Sequence, residues 1–256
     1  MSDIPSRFEM HIEITSANAV AVDLLAAETG LSKQQIKQVM QKGAVWVSKG
    51  KKTQRLRRAK KAVYIGETLH LYYDQTVLER VPPEPMLMAD EGRYSVWNKP
   101  YGMLSQGSKW GDHCTITRWA EQHLMPQRVS FVVHRLDRAA NGLIVIAHEK
   151  NAAAALSKFF HDRQIWVHGQ FSGQATRDNP VRVDSDIDGR SAVSYFTLLN
   201  YETELDRSLL EVSIDTGRKH QIRRHAALLG FPVVGDRLHG IEGDEEDLQL
   251  SAYYLA

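Results

Sequence analysis

The 256-residue chain has one cysteine, Cys114, so no intrachain disulfide can form. Cysteine-rich zinc sites and iron–sulfur clusters are excluded with it, and a reducing, cytoplasmic setting is expected. No stretch approaches the roughly 18 apolar residues that a bilayer span needs, so no membrane association is expected. The opening MSDIPSRFEMHIEI is charged and lacks a continuous apolar core, so it is not expected to act as a secretory signal. Metal-ligand spacings are also missing. His148-Glu149 has Ala152 where a second histidine would be needed, and His220 and His225 stand five apart. There is no Gly-x-Ser-x-Gly elbow, no phosphate-binding Gly-Lys-Thr loop and no internal repeat. Neither a metal nor a cofactor is expected.

What is present is ordinary for a globular protein: 43% hydrophobic and 25% charged residues. The formal net charge of +1 hides an asymmetry. Residues 1–80 carry 13 Lys/Arg against 8 Asp/Glu, and residues 81–256 carry 19 against 23. A small basic front followed by a larger, mildly acidic body suggests a polyanion-binding module attached to something else.

The front reads as two short helices and hairpins. Residues 18–31 predict a helix with Val20, Leu24 and Leu25 inward, ending at Gly30. Ser32 and Gln35 form a capping-box pattern ahead of Ile36, Val39 and Met40, and Gly43 stops that helix. Strand patterns follow in AVWVSKGKKT and AVYIGETLHLYY. Pro82, Pro83 and Pro85 mark residues 81–92 as an extended linker. The expected domains are therefore 1–80 and 93–256. In the second, YSVWNKP reads as a strand, and VSFVVHRLD and GLIVIAHEK read as two strands separated by RAAN. Residues 151–164 predict an amphipathic helix using Leu156, Phe159 and Phe160. SAVSYFTLLNYE and RSLLEVSIDTG read as an antiparallel pair, and residues 220–230 as a helix closed by Gly230. Strands come in runs rather than strict alternation with helices, so the class is α+β.

Four elements could carry chemistry. Lys49, Lys51, Lys52, Arg55, Arg57, Arg58, Lys60 and Lys61 lie in one segment with no acidic residue and could neutralise phosphates; the plainer reading is a solvated loop. His134-Arg135-Leu136-Asp137 puts a carboxylate, ionised at neutral pH, at the end of an apolar run; a turn-capping aspartate fits the same spacing. Thr216 to Arg223 lies where a strand meets a helix start, with Gly217 for tight backbone and Arg218 and Arg223 as fork-shaped donors; a basic helix surface is the alternative. Asn98-Lys99-Pro100-Tyr101-Gly102, alone, is only a turn. Most of the eleven histidines are expected to be structural or on the surface, with His134 and His220 as exceptions.

In order and spacing, NKPYGML, HRLDRAANGLIVIA, TGRKHQIRRHAALLGFPVVGDRLHG and the closing LQLSAYYL resemble the RluA-type family of RNA pseudouridine synthases. The front resembles the small RNA-binding module, named for a ribosomal small-subunit protein, that often precedes such domains. The resemblance implies a catalytic domain on a large, mostly antiparallel sheet flanked by helices, preceded by a small helix–turn–helix and hairpin domain. It implies RNA as substrate; the separate RNA-binding front favours a large structured RNA such as ribosomal RNA over transfer RNA, and nothing in the sequence demands more than a monomer. By that resemblance Asp137 is the catalytic residue, attacking a flipped uridine or stabilising the detached sugar, and Arg223 is its basic partner. His134, Arg135, Arg138, Arg218 and His220 support the loop or border the RNA, and Trp166 stands for the family's uridine-pocket tyrosine. The chain departs from the pattern at Ala140-Asn141, where Thr-Ser is usual, and at Lys219, where Thr is usual. These departures leave a second reading open: an RNA-binding protein of the same fold with weak or no catalysis, such as a ribosome-assembly factor. A hydrolase using His134 and Asp137 is a third reading, without supporting ligand or nucleophile spacing.

Overall fold

The computed structural model describes residues 4–16, 19–157, 163–171 and 175–253. The chain divides into two compact units. One is Met1–Pro82 with Gln106–His123, the other Pro83–Ser105 with Leu124–Ala256.

The first unit contains β1 (Arg7–Glu13), β2 (Ala19–Val20), α1 (Ala21–Thr29), α2 (Lys33–Gln41), β3 (Val45–Lys49), β4 (Lys52–Arg55), β5 (Ala62–Val63), β6 (Glu67–Asp74) and the single turn α3 (Gln75–Leu78). Local signals explain the helices. Gln35 N–H donates to the Ser32 hydroxyl at 3.2 Å and Ser32 N–H donates to the Gln35 side chain at 2.9 Å, closing the capping box. Gly30 ends α1 with φ of 73°, a left-handed cap that costs glycine little. Four strands pair antiparallel in the order β1-β6-β3-β4. Their inner residues, with Leu25, Ile36 and Met40, form one core. The sequence reading overlooked β1. RFEMHIE alternates with period two, but its charged alternate residues disguise Phe8, Met10 and Ile12, which pack on that core. The strand pattern of AVYIGETLHLYY is divided at Gly66: β5 pairs with β2 and not with β6.

The expected division 1–80, 81–92, 93–256 differs from the observed units in two respects. Residues 106–123, including α4 (Ile116–His123), belong to the first unit, where the Asp112 carboxylate receives both Arg55, at 3.2 Å, and Arg57. A pairing across more than fifty residues leaves no local signal. The expected linker contains β7 (Met86–Asp90), whose backbone pairs antiparallel with β8 (Tyr94–Lys99).

The second unit continues with β9 (Phe131–Val132), β10 (Asn141–Ala147), α5 (Lys150–Leu156), β11 (Arg163–His168), β12 (Val181–Asp184), β13 (Val193–Glu202), β14 (Arg207–Ile214), α6 (Gln221–Leu228) and β15 (Leu250–Ala252). Its nine-stranded sheet runs β12-β13-β14-β11-β15-β10-β8-β7, with β9 on β10. Among the described residues its strands pair antiparallel except β10 with β15, and the α+β class stands. The expected strand 129–137 is confined to Phe131–Val132. Beyond it the backbone leaves the ladder, because Leu136 N–H and C=O both bond the Ser105 hydroxyl, at 3.0 and 2.7 Å. The helix expected over 151–164 overruns, since Arg163 and Gln164 lie in β11. Phe159 and Phe160 lie outside the described residues.

Candidate active site

α6 docks on one face of the sheet. Gln221 Nε2 donates to the Ser194 hydroxyl at 3.0 Å, and His225 Nδ1 lies 3.0 Å from the same oxygen. Ile222 and Ala226 are buried beneath the helix. The register carries that face from Phe196 through Val212 and Leu210 to Arg163 and Ile165. This buried apolar surface is the floor on which the site is assembled.

Arg223 is the centre of the site. Its side chain, 5% exposed, donates Nε to Asp236 Oδ2 at 2.8 Å and Nη2 to Asp236 Oδ1, a two-pronged pair. Its remaining arm, Nη1, reaches Asp137 Oδ2 at 3.1 Å. Asp236 is itself fixed by the N–H groups of Leu238 and His239, at 3.0 and 3.1 Å. Burial pushes the Asp236 carboxyl up, but the Arg223 bonds prevail and hold it below its usual value. One guanidinium therefore joins a fully buried carboxylate to a second one, 29% exposed, at the edge of the site.

The Asp137 loop is tied down from several sides. Lys99, fully buried, donates Nζ to the carbonyls of Ala140 at 2.6 Å, Met103 at 2.9 Å and Pro100 at 3.1 Å. Burial brings its ammonium down to about 8, although the charge of Asp137 pulls the other way. Ala140 N–H closes a turn onto Asp137 C=O at 3.1 Å, and Gly102 N–H donates to Arg138 C=O at 2.9 Å. Val145 N–H donates to His134 Nε2 at 3.1 Å, and Arg163 Nη2 lies 3.4 Å from His134 Nδ1.

Burial, with the Arg163 charge behind it, holds His134 down to about 3, so the ring is neutral at physiological pH and serves the loop as an acceptor. The unfolded chain therefore takes up this proton before the folded chain does. The contribution to stability is complete above about pH 6.5 and is lost as pH falls from there toward 3, by at most about 1.4 kcal/mol per pH unit. Thermal unfolding between pH 7 and 4.5 should show a shallower acid loss for His134→Gln, whose amide oxygen can still accept from Val145. Equal slopes for variant and wild type would exclude this source of acid lability.

The structure thus brings together Asp137, Arg223, His220 and His134. His220 Nε2 lies 4.0 Å from Asp137 Oδ2. Arg135 and Arg138 are exposed beside the same loop, Arg138 donating Nε to Gly102 C=O at 3.2 Å. Arg218 is held at the start of α6 by its Nε bond to Ser191 C=O at 3.0 Å. Trp166 does not join them. It pairs with Leu209, and strand alternation turns it to the face opposite Arg163 and Ile165, which share the α6 side. Gly217 has no close neighbour: a Cβ there would meet nothing within 4 Å.

In the first unit Lys49, Lys51, Lys52, Arg58, Lys60 and Lys61 are exposed. Arg55 and Arg57 are not part of that free surface. Besides Asp112, Arg55 donates to the carbonyls of Gly43 and Ser108, and Arg57 to Gln41 C=O at 2.8 Å. Sequence reading missed Asp236, His239, Lys99 and Arg163. The first three lie in stretches already singled out, GDRLHG and NKPYG, but their roles depend on partners far along the chain. Among the described residues no group of three or more His, Cys, Asp or Glu is placed to hold a metal, and no helix is long and apolar enough to cross a membrane.

Comparison with known proteins places these residues in context. The family model described as RNA pseudouridylate synthase matches residues 93–228. An uncharacterized RNA pseudouridine synthase of Chloroflexus aurantiacus is 34% identical over 177 residues, 62% of this chain and 55% of that protein, so the match spans about half the relative's length. The dual-specificity RNA pseudouridine synthase RluA of Escherichia coli K12 is 32% identical over 178 residues, 62% of this chain and 79% of its own. The ribosomal large subunit pseudouridine synthase D of Xylella fastidiosa is 29% identical over 204 residues, 72% of this chain and 61% of its own. The solved structure of human RNA pseudouridylate synthase domain containing 1 superposes with a TM-score of 0.55 at 18% identity, covering 69% of this chain and 80% of that one, a likeness of fold.

Proposed function

We propose, since the chain belongs to the RNA pseudouridylate synthase family, that it converts uridine in RNA to pseudouridine with Asp137 as the reacting carboxylate. The observation that carries this reading is the buried guanidinium of Arg223, shared between Asp137 and Asp236. The reaction breaks the bond from N1 of the base to C1′ of the ribose and forms one from C5 to C1′. It needs an ionised, oriented carboxylate beside the sugar, and a guanidinium anchored on a second carboxylate supplies orientation without neutralising the first. No cofactor or metal is required, because the reaction is an isomerisation. The target uridine leaves its stack at a cost of a few kcal/mol. Arg135, Arg138 and Arg218, around the mouth of the site, are suited to hold the flanking phosphates. Ribosomal RNA, met in the cytoplasm by a monomer, is the substrate we favour over transfer RNA, because a separate basic module suits a large structured RNA.

The test is a map of pseudouridine in total RNA from cells with and without the protein. Loss of one or a few sites on deletion supports the reading and names the substrate. An unchanged map would favour a binding protein on the same fold.

The exposed lysines and arginine of the first unit give a second expectation. Replacing Lys51, Lys52, Arg58, Lys60 and Lys61 by alanine should weaken RNA binding. The logarithmic salt dependence should flatten by about 0.7 to 0.9 for each phosphate that is no longer neutralised. Arg55→Ala should instead lower the melting temperature, because its guanidinium is committed to Asp112 and two carbonyls. Binding and salt slope unchanged in the five-residue variant would exclude this surface as an RNA-binding one.

A further inference from the structure

We infer that His220, oriented by His239, is the base that removes the C5 proton of the rearranged uracil. This rests on the isomerisation proposed above and assigns one of its steps. Once C5 has bonded to C1′, that carbon holds both its hydrogen and the new carbon–carbon bond, and the ring carries a C6=N1 double bond. Completion requires loss of the C5 proton and gain of a proton at N1. The electrons of the C5–H bond form C5=C6, and those of C6=N1 become the N1–H pair. A group that accepts at C5 and returns a proton to N1 leaves no net charge and needs no co-reactant.

Three features place His220 in that role. Its Nε2 is 4.0 Å from the carboxylate that faces the sugar carbon, within reach of a base bonded to that carbon. Its Nδ1 lies 3.0 Å from Nε2 of His239, with the rings edge-on at 5.3 Å between centroids. With the proton of His220 on Nδ1, that hydrogen bond leaves the Nε2 lone pair toward Asp137. The backbone of His220 sits at φ of 53°, in the left-handed region that non-glycine residues rarely adopt. A strained residue at the first position ahead of α6 is tolerated where its side chain has to point one way. The groups facing His220 are Asp137, Arg223, His239 and Lys219. Those facing His239 include Asp236, Arg223 and Arg224. Burial holds both imidazoles below their ordinary value, in the neutral form an acceptor needs.

The experiment uses the full chain and the RNA identified by the deletion map, transcribed with ordinary or 5-deuterated uridine, in single-turnover reactions. His220→Asn suits the test, because asparagine tolerates the left-handed backbone and cannot act as the base. It should slow conversion by at least about 100-fold and reveal a C5 deuterium effect that wild type lacks. His220→Gly, equally at ease at that φ, should recover activity with added imidazole. His239→Phe should lower the rate without changing RNA affinity, and His239→Gln, which can accept from Nδ1, should restore part of it. A His220→Asn rate equal to wild type, or a slow rate with no isotope effect and no imidazole rescue of His220→Gly, overturns the assignment. The wild-type reaction separates the two levels: a wild-type chain that converts no uridine in this RNA would remove the isomerisation reading itself, whereas Asp137→Asn converting at the wild-type rate would remove only Asp137 as the reacting group.

Discussion

Asp137→Asn should slow pseudouridine formation at least about 10³-fold while leaving RNA affinity within a factor of a few. The substitution removes the charge and keeps the shape. Arg223 Nη1 can still donate to the amide oxygen, and the Asp236 pair beneath is untouched. A preorganised charge removed at the reacting centre commonly costs two to four orders of magnitude in rate. The loss of stability should be small, because Asp137 is 29% exposed and a partly solvated ion pair contributes at most about 1 kcal/mol. Single-turnover conversion, filter binding and a melting curve on one preparation separate the three quantities. A variant that binds RNA and still converts uridine at the wild-type rate would refute Asp137 as the reacting group. A wild-type protein that binds RNA and converts no uridine would favour the binding-protein reading.

Arg223→Met should be far more damaging to the fold. It strands the Asp236 carboxylate, which has no exposed side-chain surface, with no cation. Breaking a buried pair on one side costs about 3–5 kcal/mol. At about 2–4 °C per kcal/mol, the melting temperature should fall by about 6–20 °C. The sign of the pH effect also inverts. In wild type Asp236 is held below its ordinary value, so its contribution is present above about pH 4 and lost on acidification. Without Arg223, burial, the largest influence, raises the carboxyl against only the Leu238 and His239 N–H bonds, so the variant should regain stability as pH falls. Arg223→Met combined with Asp236→Asn should therefore be more stable than Arg223→Met alone. A double variant no better than the single one would show that the pair is not the source of the loss.

Much of the architecture could be read locally. The capping box at Ser32 and Gln35, the glycine after α1, the β13–β14 pair and α6 follow from signals within a dozen residues. Asp137 and Arg223, read from separate motifs, prove to be hydrogen-bonded to each other. What the sequence concealed was long-range. Arg55 and Arg57 look like phosphate ligands until Asp112 is seen between them. Lys99 looks like a surface lysine in a turn until three carbonyls are seen around it. Trp166 misled for a simpler reason. Residue type alone puts the aromatic in the site, whereas the register of β11 turns Arg163 and Ile165 to the face of the site and Trp166 to the other.

The anchoring of the Asp137 loop has a consequence for selectivity. Ser105 holds Leu136, Lys99 holds Ala140, Gly102 holds Arg138, and His134 is bonded to β10, so the loop has little freedom to adapt to what approaches it. In the proposed reaction the adjustment then falls on the RNA. Uridines in hairpin loops, bulges or weakly stacked steps would be chosen over those in stable helices, whatever the neighbouring letters, because they yield at the lowest energetic cost. Target choice would then follow the mechanical compliance of the nucleic acid, read by a protein surface that does not bend to meet it.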